Sequence, residues 1–193
     1  MHSALLFLGA QADTMKWVFV YGPPAAGKYT VGRELARLTG YRFFHNHVVN
    51  DMVATMFDFN EGPFWKLVSR YREDLLDEAA KHGVSLIMTY VYDPGDLPHL
   101  RKYKRAVERH NGRILWVRLY APVDVLHRRR GSPERRAFKK IRDAKTLNEV
   151  LRKYSLFESV PFRPNMSIDT TRVKPREAAL LIAKRYRLPI RKS

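Results

Sequence analysis

Nine consecutive residues, Gly22-Pro23-Pro24-Ala25-Ala26-Gly27-Lys28-Tyr29-Thr30, have the composition of a phosphate cradle. They contain G-x-x-x-x-G-K, in which small residues let successive backbone N–H groups curl around phosphate oxygens and the lysine ammonium reaches the outermost ones. The pattern asks for Ser or Thr directly after the lysine, where a hydroxyl meets Mg²⁺, yet Tyr29 stands there. Thr30 comes one position late, a shift that on a helix turns the hydroxyl by about 100°. Thr30 is therefore expected at an inner phosphate, with the metal held by water and carboxylates. Asp93 is the nearest carboxylate for a water-mediated metal contact, although Asp93 before Pro94-Gly95 also has the makings of a turn.

A second cluster, Phe44-His45-Asn46-His47-Val48-Val49-Asn50-Asp51, is unusually polar for a segment that follows a strand. His47 and Asp51 are four apart, so on a helix they share a face, where they can orient a hydroxyl and Asp51 can take its proton. The plainer alternative makes Asn46 an N-cap and leaves Asp51 solvated. His45, Asn46, Arg70 and Tyr90 are candidates to line the same pocket, and Trp65 belongs either there or in the core. Zinc is not indicated by His45 and His47, since no further ligand has suitable spacing.

The elements that must position these groups follow from periodicity. Lys16 to Tyr21 is an unbroken aromatic and β-branched run entering Gly22-Pro23-Pro24, as a doubly buried strand does. Val31, Leu35 and Leu38 then repeat at helical spacing up to Thr39-Gly40. Further strands are predicted at 41–45, 84–90, 114–119 and 166–169. Helices are predicted at 48–56, 64–82, 97–110, 123–130, 137–154 and 175–186. The 64–82 helix is read with an apolar stripe of Phe64, Leu67, Val68, Tyr71, Leu75 and Ala79. Strands alternating with helices imply a mainly parallel sheet covered on both faces, with ligands beyond the carboxyl ends of the strands.

Composition narrows the classes. The chain has 193 residues, 45% hydrophobic and 28% charged, which suits one globular domain over 15–193. The first 14 residues read as a leader, with Met15 directly before the first strand. No cysteine is present, so disulfides, thiolate metal sites and cysteine nucleophiles are excluded and a cytoplasmic setting fits. No apolar run approaches the ~20 residues of a spanning helix. The net charge is +17, from 36 Lys and Arg against 19 acidic residues, and polyanions should be attracted. Eleven of the basic residues, against three acidic ones, fall between His127 and Lys153. That stretch is either a solvated basic helix or a lid.

With the Gly22–Thr30 loop, the Val31-Gly32-Arg33-Glu34-Leu35-Ala36 helix behind it, the basic stretch around 128–142 and Ile168-Asp169-Thr170-Thr171 near the end, the chain resembles small P-loop kinases of the shikimate kinase, adenylate kinase and chloramphenicol phosphotransferase group. The hydroxyl two positions after the lysine is shared with adenylate kinases. The resemblance implies a three-layer α/β fold with a five-stranded parallel sheet in the order 2-3-1-4-5 and a helical lid over about 127–153. It also implies ATP and Mg²⁺ as cofactors. Gly22, Ala25, Ala26, Gly27, Lys28, Tyr29 and Thr30 would then cradle the phosphates, and Arg128 would stack on the base. Arg130, Arg135 or Arg136 would close on the transferring group, and Asp51 would be the base. Chloramphenicol phosphotransferases show the same His-to-Asp spacing as His47 and Asp51. Shikimate kinases carry acidic residues just after the second strand, and their absence here argues against shikimate as acceptor.

The implied activity is transfer of the terminal phosphoryl group of ATP to a hydroxyl of a small molecule, by a monomer or homodimer. The alternatives are a kinase acting on nucleic acid or nucleotides, supported by charge but by no recognisable nucleic-acid module, and a nucleotide-binding regulator without turnover.

Overall fold

In the computed structural model, which describes residues 14–131, 141 and 143–191, β1 (Lys16–Tyr21) is the middle strand of a five-stranded sheet. After it come α1 (Lys28–Thr39), β2 (Arg42–His45), α2 (His47–Val53), α3 (Gly62–Lys81) and β3 (Leu86–Tyr90). A single 3₁₀ turn (Pro94–Asp96) leads to α4 (Leu97–Arg109), β4 (Arg113–Tyr120) and α5 (Val123–Arg129). The chain continues through α6 (Ala144–Lys153), β5 (Asn165–Asp169) and α7 (Pro175–Tyr186). The strand order is β2-β3-β1-β4-β5 and every pairing is parallel, as expected.

Alternation along the two central strands builds a core on each face of the sheet. Val18 and Val20 of β1, with Leu115, Val117 and Leu119 of β4, meet Val31 and Leu35 of α1, Leu126 of α5, Leu147 of α6 and Ile182 of α7. Trp17, Phe19 and Tyr21, with Ile114 and Trp116, face the other way onto Leu76 of α3 and Leu100 and Tyr103 of α4. Burial on both sides explains why β1 reads as a continuous apolar run rather than an alternating one. A smaller cluster of Val49, Val53, Phe64 and Val68 fastens α2 onto α3.

Two predicted elements differ from the structure. The buried stripe of α3 is Phe64, Val68, Arg72, Leu76 and Ala80, whereas Tyr71 and Leu75 are exposed. The stripe is rotated because the pattern places an arginine, not a leucine, at its centre. The helix expected over 137–154 is seen as α6 from Ala144, where the Asp143 carboxylate accepts from Thr146 N–H at 2.7 Å and caps the first turn. Ile141 lies outside it.

At the end of β1 the chain passes so close to β4 that a Cβ on Gly22 would sit 2.0 Å from the Leu119 carbonyl oxygen, and Gly22 has φ +140°. Both facts demand glycine. Gly22→Ala is expected to lower stability by about 3 kcal/mol or more, because backbone on both sides would have to move. Gly62→Ala, with nothing within 4 Å of the added methyl, should shift stability by less than about 1 kcal/mol. Urea unfolding midpoints of the two variants measure the contrast.

Candidate active site

The loop after β1 turns inward through two left-handed residues, Ala25 at φ +64° and Gly27 at φ +87°. An alanine rarely adopts this conformation, which costs about 1 kcal/mol or more and collects where backbone amides must converge on a ligand. Gly27 caps α1, whose first turn contains no acidic side chain, so the positive end of that helix is not neutralised from within. Lys28 is buried, and its ammonium donates to the carbonyls of Gly22 at 2.7 Å and Pro23 at 2.6 Å. The Tyr29 ring leans away from the loop onto β2, meeting Phe43 and His45 edge-on with centroids 5.4 and 5.2 Å apart. Tyr29 thus packs as an aromatic, and Thr30 is left as the hydroxyl beside the lysine.

The loop opens into a cleft of about 1520 Å³ across the carboxyl ends of the strands. Ala25, Gly27, Lys28, Tyr29 and Thr30 line it together with His45, Asn46, His47 and Tyr90, and with Trp65, which is 54% exposed and not core. Asn46 N–H donates to Thr89 Oγ1 at 3.3 Å, which ties the start of α2 to β3. Asp51 stands behind His47 rather than on the cleft: His47 Nδ1 lies 3.3 Å from Asp51 Oδ1. A carboxylate only accepts, so this contact is a hydrogen bond in the tautomer that carries its proton on Nδ1.

Helix phase turns two of the expected arginines away from the cleft. Arg70 points outward and pairs with Asp74 at 3.8 Å, while Arg72, about 200° round α3, is buried against the cleft. Arg128 also faces outward, bound to Asp124 at 2.6 Å one turn earlier. Arg129, three residues after buried Leu126, reaches the cleft instead and donates to Thr170 Oγ1 and the Thr170 carbonyl, both at 2.8 Å. Arg130 turns back to the His127 carbonyl. Arg135 and Arg136, with residues 132–140 and 142 of the expected lid and residues 1–13 of the leader, lie outside the described residues. A charged residue on an otherwise apolar stripe was the available signal for Arg72; for Arg129 the signal was its spacing from Leu126.

Asp93 lines the cleft, but its carboxylate is engaged with backbone, accepting from Gly95 N–H and Ser155 N–H, both at 2.9 Å. Asp96 completes this turn by accepting from Asp93 N–H at 3.0 Å, and burial raises its carboxyl above the ordinary range. Among the described residues no group of three or more His, Asp or Glu is arranged to hold a metal. A nucleotide-borne Mg²⁺ does not need one, because it keeps several waters and takes only one or two protein oxygens besides phosphate. Thr30 and Asp93 are on the same cleft and fit that modest demand. Asp169 organises its own turn: hydrogen bonds from the Thr171 hydroxyl and N–H hold its carboxyl below the usual range.

No family model matches the chain, and no curated protein matches it in sequence. Solved structures do match it in shape. A sugar kinase from Janibacter is 20% identical with a TM-score of 0.64, over 90% of this chain and 95% of that one. An APS kinase from Mycobacterium tuberculosis, in complex with AMPPNP and APS, is 12% identical with a TM-score of 0.64, over 90% and 98%. A shikimate kinase from Acinetobacter baumannii, in complex with shikimate, is 20% identical with a TM-score of 0.52, over 90% and 93%. The chain has the fold of the small P-loop kinases. At these identities the likeness speaks for the fold alone. None of the helices among the described residues is long and apolar enough to cross a membrane.

On the cleft's far wall His99 Nδ1 lies 2.7 Å from Glu73 Oε1, and Lys102 donates to the same carboxylate at 3.0 Å, joining α4 to α3. Burial pushes the Glu73 carboxyl up, but these hydrogen bonds outweigh it and hold the group below its ordinary value. A carboxylate lowered in the folded state contributes stability above its unfolded pKa and loses it as pH falls through the folded one. Glu73→Gln is therefore expected to destabilise at pH 7, with the gap to the unmodified protein closing below about pH 4. Thermal unfolding between pH 3 and pH 7 measures it.

Proposed function

We propose that this protein is an ATP-dependent phosphotransferase that moves the terminal phosphoryl group to a hydroxyl of a small molecule in the cytoplasm, with Mg²⁺ carried on the nucleotide. The observation that carries the reading is a single cleft joining the Lys28 loop to His47, a phosphate cradle and a carboxylate-held imidazole sharing one wall. Bound ATP supplies the phosphoryl group, and its Mg²⁺ shields the phosphate charge. The left-handed loop and the first turn of α1 hold the phosphates, and Lys28 neutralises charge on the outer ones. Arg129, one of whose hydrogen bonds is to the Thr170 hydroxyl, frames the far end of the nucleotide.

On the acceptor side, His47 Nε2 takes the proton that the hydroxyl loses as its oxygen bonds to phosphorus, and the bond to the departing ADP oxygen breaks. Asp51 is a positioning residue that fixes the tautomer of His47. Phosphoryl transfer passes through a loose transition state in which the acceptor proton leaves late, so base removal costs less than in acyl transfer. Thr30 and Asp93 are the side chains we assign to the hydrated metal.

The test begins with ATP consumption over hydroxylated metabolites, antibiotics and nucleotides, with mass detection of products. Lys28→Ala is expected to weaken ATP binding by about 10-fold or more in calorimetry. On the acceptor so found, at saturating ATP, His47→Ala should lower kcat by about 10²-fold and Asp51→Asn by about 10-fold, with ATP affinity unchanged. The pH profile of Asp51→Asn should also move, which a solvated Asp51 would not produce. ATP binding without any product would favour a regulator without turnover.

A further inference from the structure

Arg72 is 5% exposed, and what remains exposed lies on the cleft. A guanidinium is not deprotonated in a protein, so the wall beside His47 holds a permanent positive charge. Its partners are all neutral. Nη2 donates to Asn50 Oδ1 at 2.8 Å and lies 3.5 Å from the Asn46 carbonyl, and Cζ stands 5.4 Å from the centre of the Tyr90 ring. Nε is buried without a hydrogen-bond partner.

The anions that could have answered this charge are turned elsewhere. Glu73, next along α3, is taken by His99 and Lys102, and Asp74 by Arg70. Asp96 is bound to the Asp93 N–H and to the Tyr90 hydroxyl. Burial raises the hydroxyls of Tyr90 and Tyr103, the latter to about 12, so neither tyrosine is an anion at neutral pH. No carboxylate among the described residues pairs with Arg72. A neutral donor could clamp α2 to α3 equally well. A buried charge without a counter-ion is costly, and it persists where a ligand brings the anion.

We propose that the acceptor carries an oxyanion, a carboxylate or a phosphate, which pairs with Arg72 while its hydroxyl is turned toward His47. The planar fork of the guanidinium suits two oxygens of one such group. Trp65, half exposed on the same cleft, gives the carbon skeleton an apolar surface. This inference rests on the phosphotransferase reading for its chemistry but not for its binding.

The test uses the full chain with matched compounds: glycerol, glycerate and glycerol 3-phosphate, and glucitol, gluconate and glucitol 6-phosphate. Product formation with Mg-ATP is one readout. The other is the change in tryptophan fluorescence on binding with Mg-ADP, which is assigned to Trp65 because it lines the cleft and Trp17 and Trp116 do not, and which Trp65→Phe should abolish. Anionic members are expected to bind and turn over at least about 10-fold better than the neutral member of their set, and Arg72→Lys should erase most of that preference. Preference for the acid or for the phosphate identifies which oxyanion is read. Should Arg72→Lys fail to fold, the comparison within each set of the unmodified protein still decides. Equal turnover of neutral and anionic members overturns the anion site and leaves the phosphotransferase reading standing. Anion binding lost in Arg72→Lys, with no product from any compound, upholds the anion site and leaves the phosphotransferase reading to the wider acceptor panel. No anion preference in either readout overturns the proposal.

Discussion

Everything in this molecule hangs on β1 being buried on both faces and both edges. Trp17, Phe19 and Tyr21 enter one core, Val18 and Val20 the other, while β3 and β4 take its two edges in parallel register. A strand enclosed in this way has no freedom to slip, because a shift of one residue would exchange its two faces. The end of β1 is consequently a fixed point, and the phosphate loop begins there. Gly22 accepts the close approach of β4, Ala25 and Gly27 take left-handed conformations, and Lys28 is drawn in under the loop. The strain of that turn is held by the sheet behind it together with the bonds from Lys28 to the Gly22 and Pro23 carbonyls.

The second half of the site has a different support. α2 is only His47–Val53, too short to be stable alone. It is held by Val49 and Val53 against α3, by Asn46 on Thr89, and by Asn50 on Arg72. Because Asn50 binds Arg72 while Asp51 binds His47, neighbouring residues of one short helix serve a cation and an imidazole on the same wall. A ligand that engaged Arg72 would therefore act on the same turn of backbone that carries Asp51 and orients His47.

Electrostatics separates the two ends of the cleft. The loop end is positive through the α1 terminus and Lys28, while the acceptor end combines Arg72 with two imidazoles, His47 and His99, each held by a carboxylate lying behind or beside it. Of the acidic residues on the cleft, Asp93 and Asp96 spend much of their capacity on the turn after β3, with Asp93 also receiving the Ser155 N–H that follows α6, and the third is Glu177. A hydrated Mg²⁺ on the nucleotide would have to draw on Thr30, Asp93, water and phosphate, because Tyr29 stands where the hydroxyl of the usual pattern would be.

How much was legible follows from which forces are local. The phosphate loop, the strand that feeds it and the helix behind it were readable because turn chemistry and doubly buried strands depend on neighbours in sequence. The strand order came with the resemblance, and the pairing in the structure agrees with it. Rotation of a helix about its axis was harder, since adjacent residues differ by 100° and a single misjudged apolar position turns the face. Hence Arg70 was expected where Arg72 lies, Arg128 where Arg129 lies, and Asp51 on the cleft where it supports His47. The amino-acid sequence by itself determined the α/β class, the phosphate cradle and the kinds of group available for catalysis. Only the tertiary structure decided which arginines turn to the cleft and which of them lacks a counter-ion, because burial and charge pairing are set by elements that meet across 22 and 41 residues of chain, as Arg72 meets Asn50 and Arg129 meets Thr170.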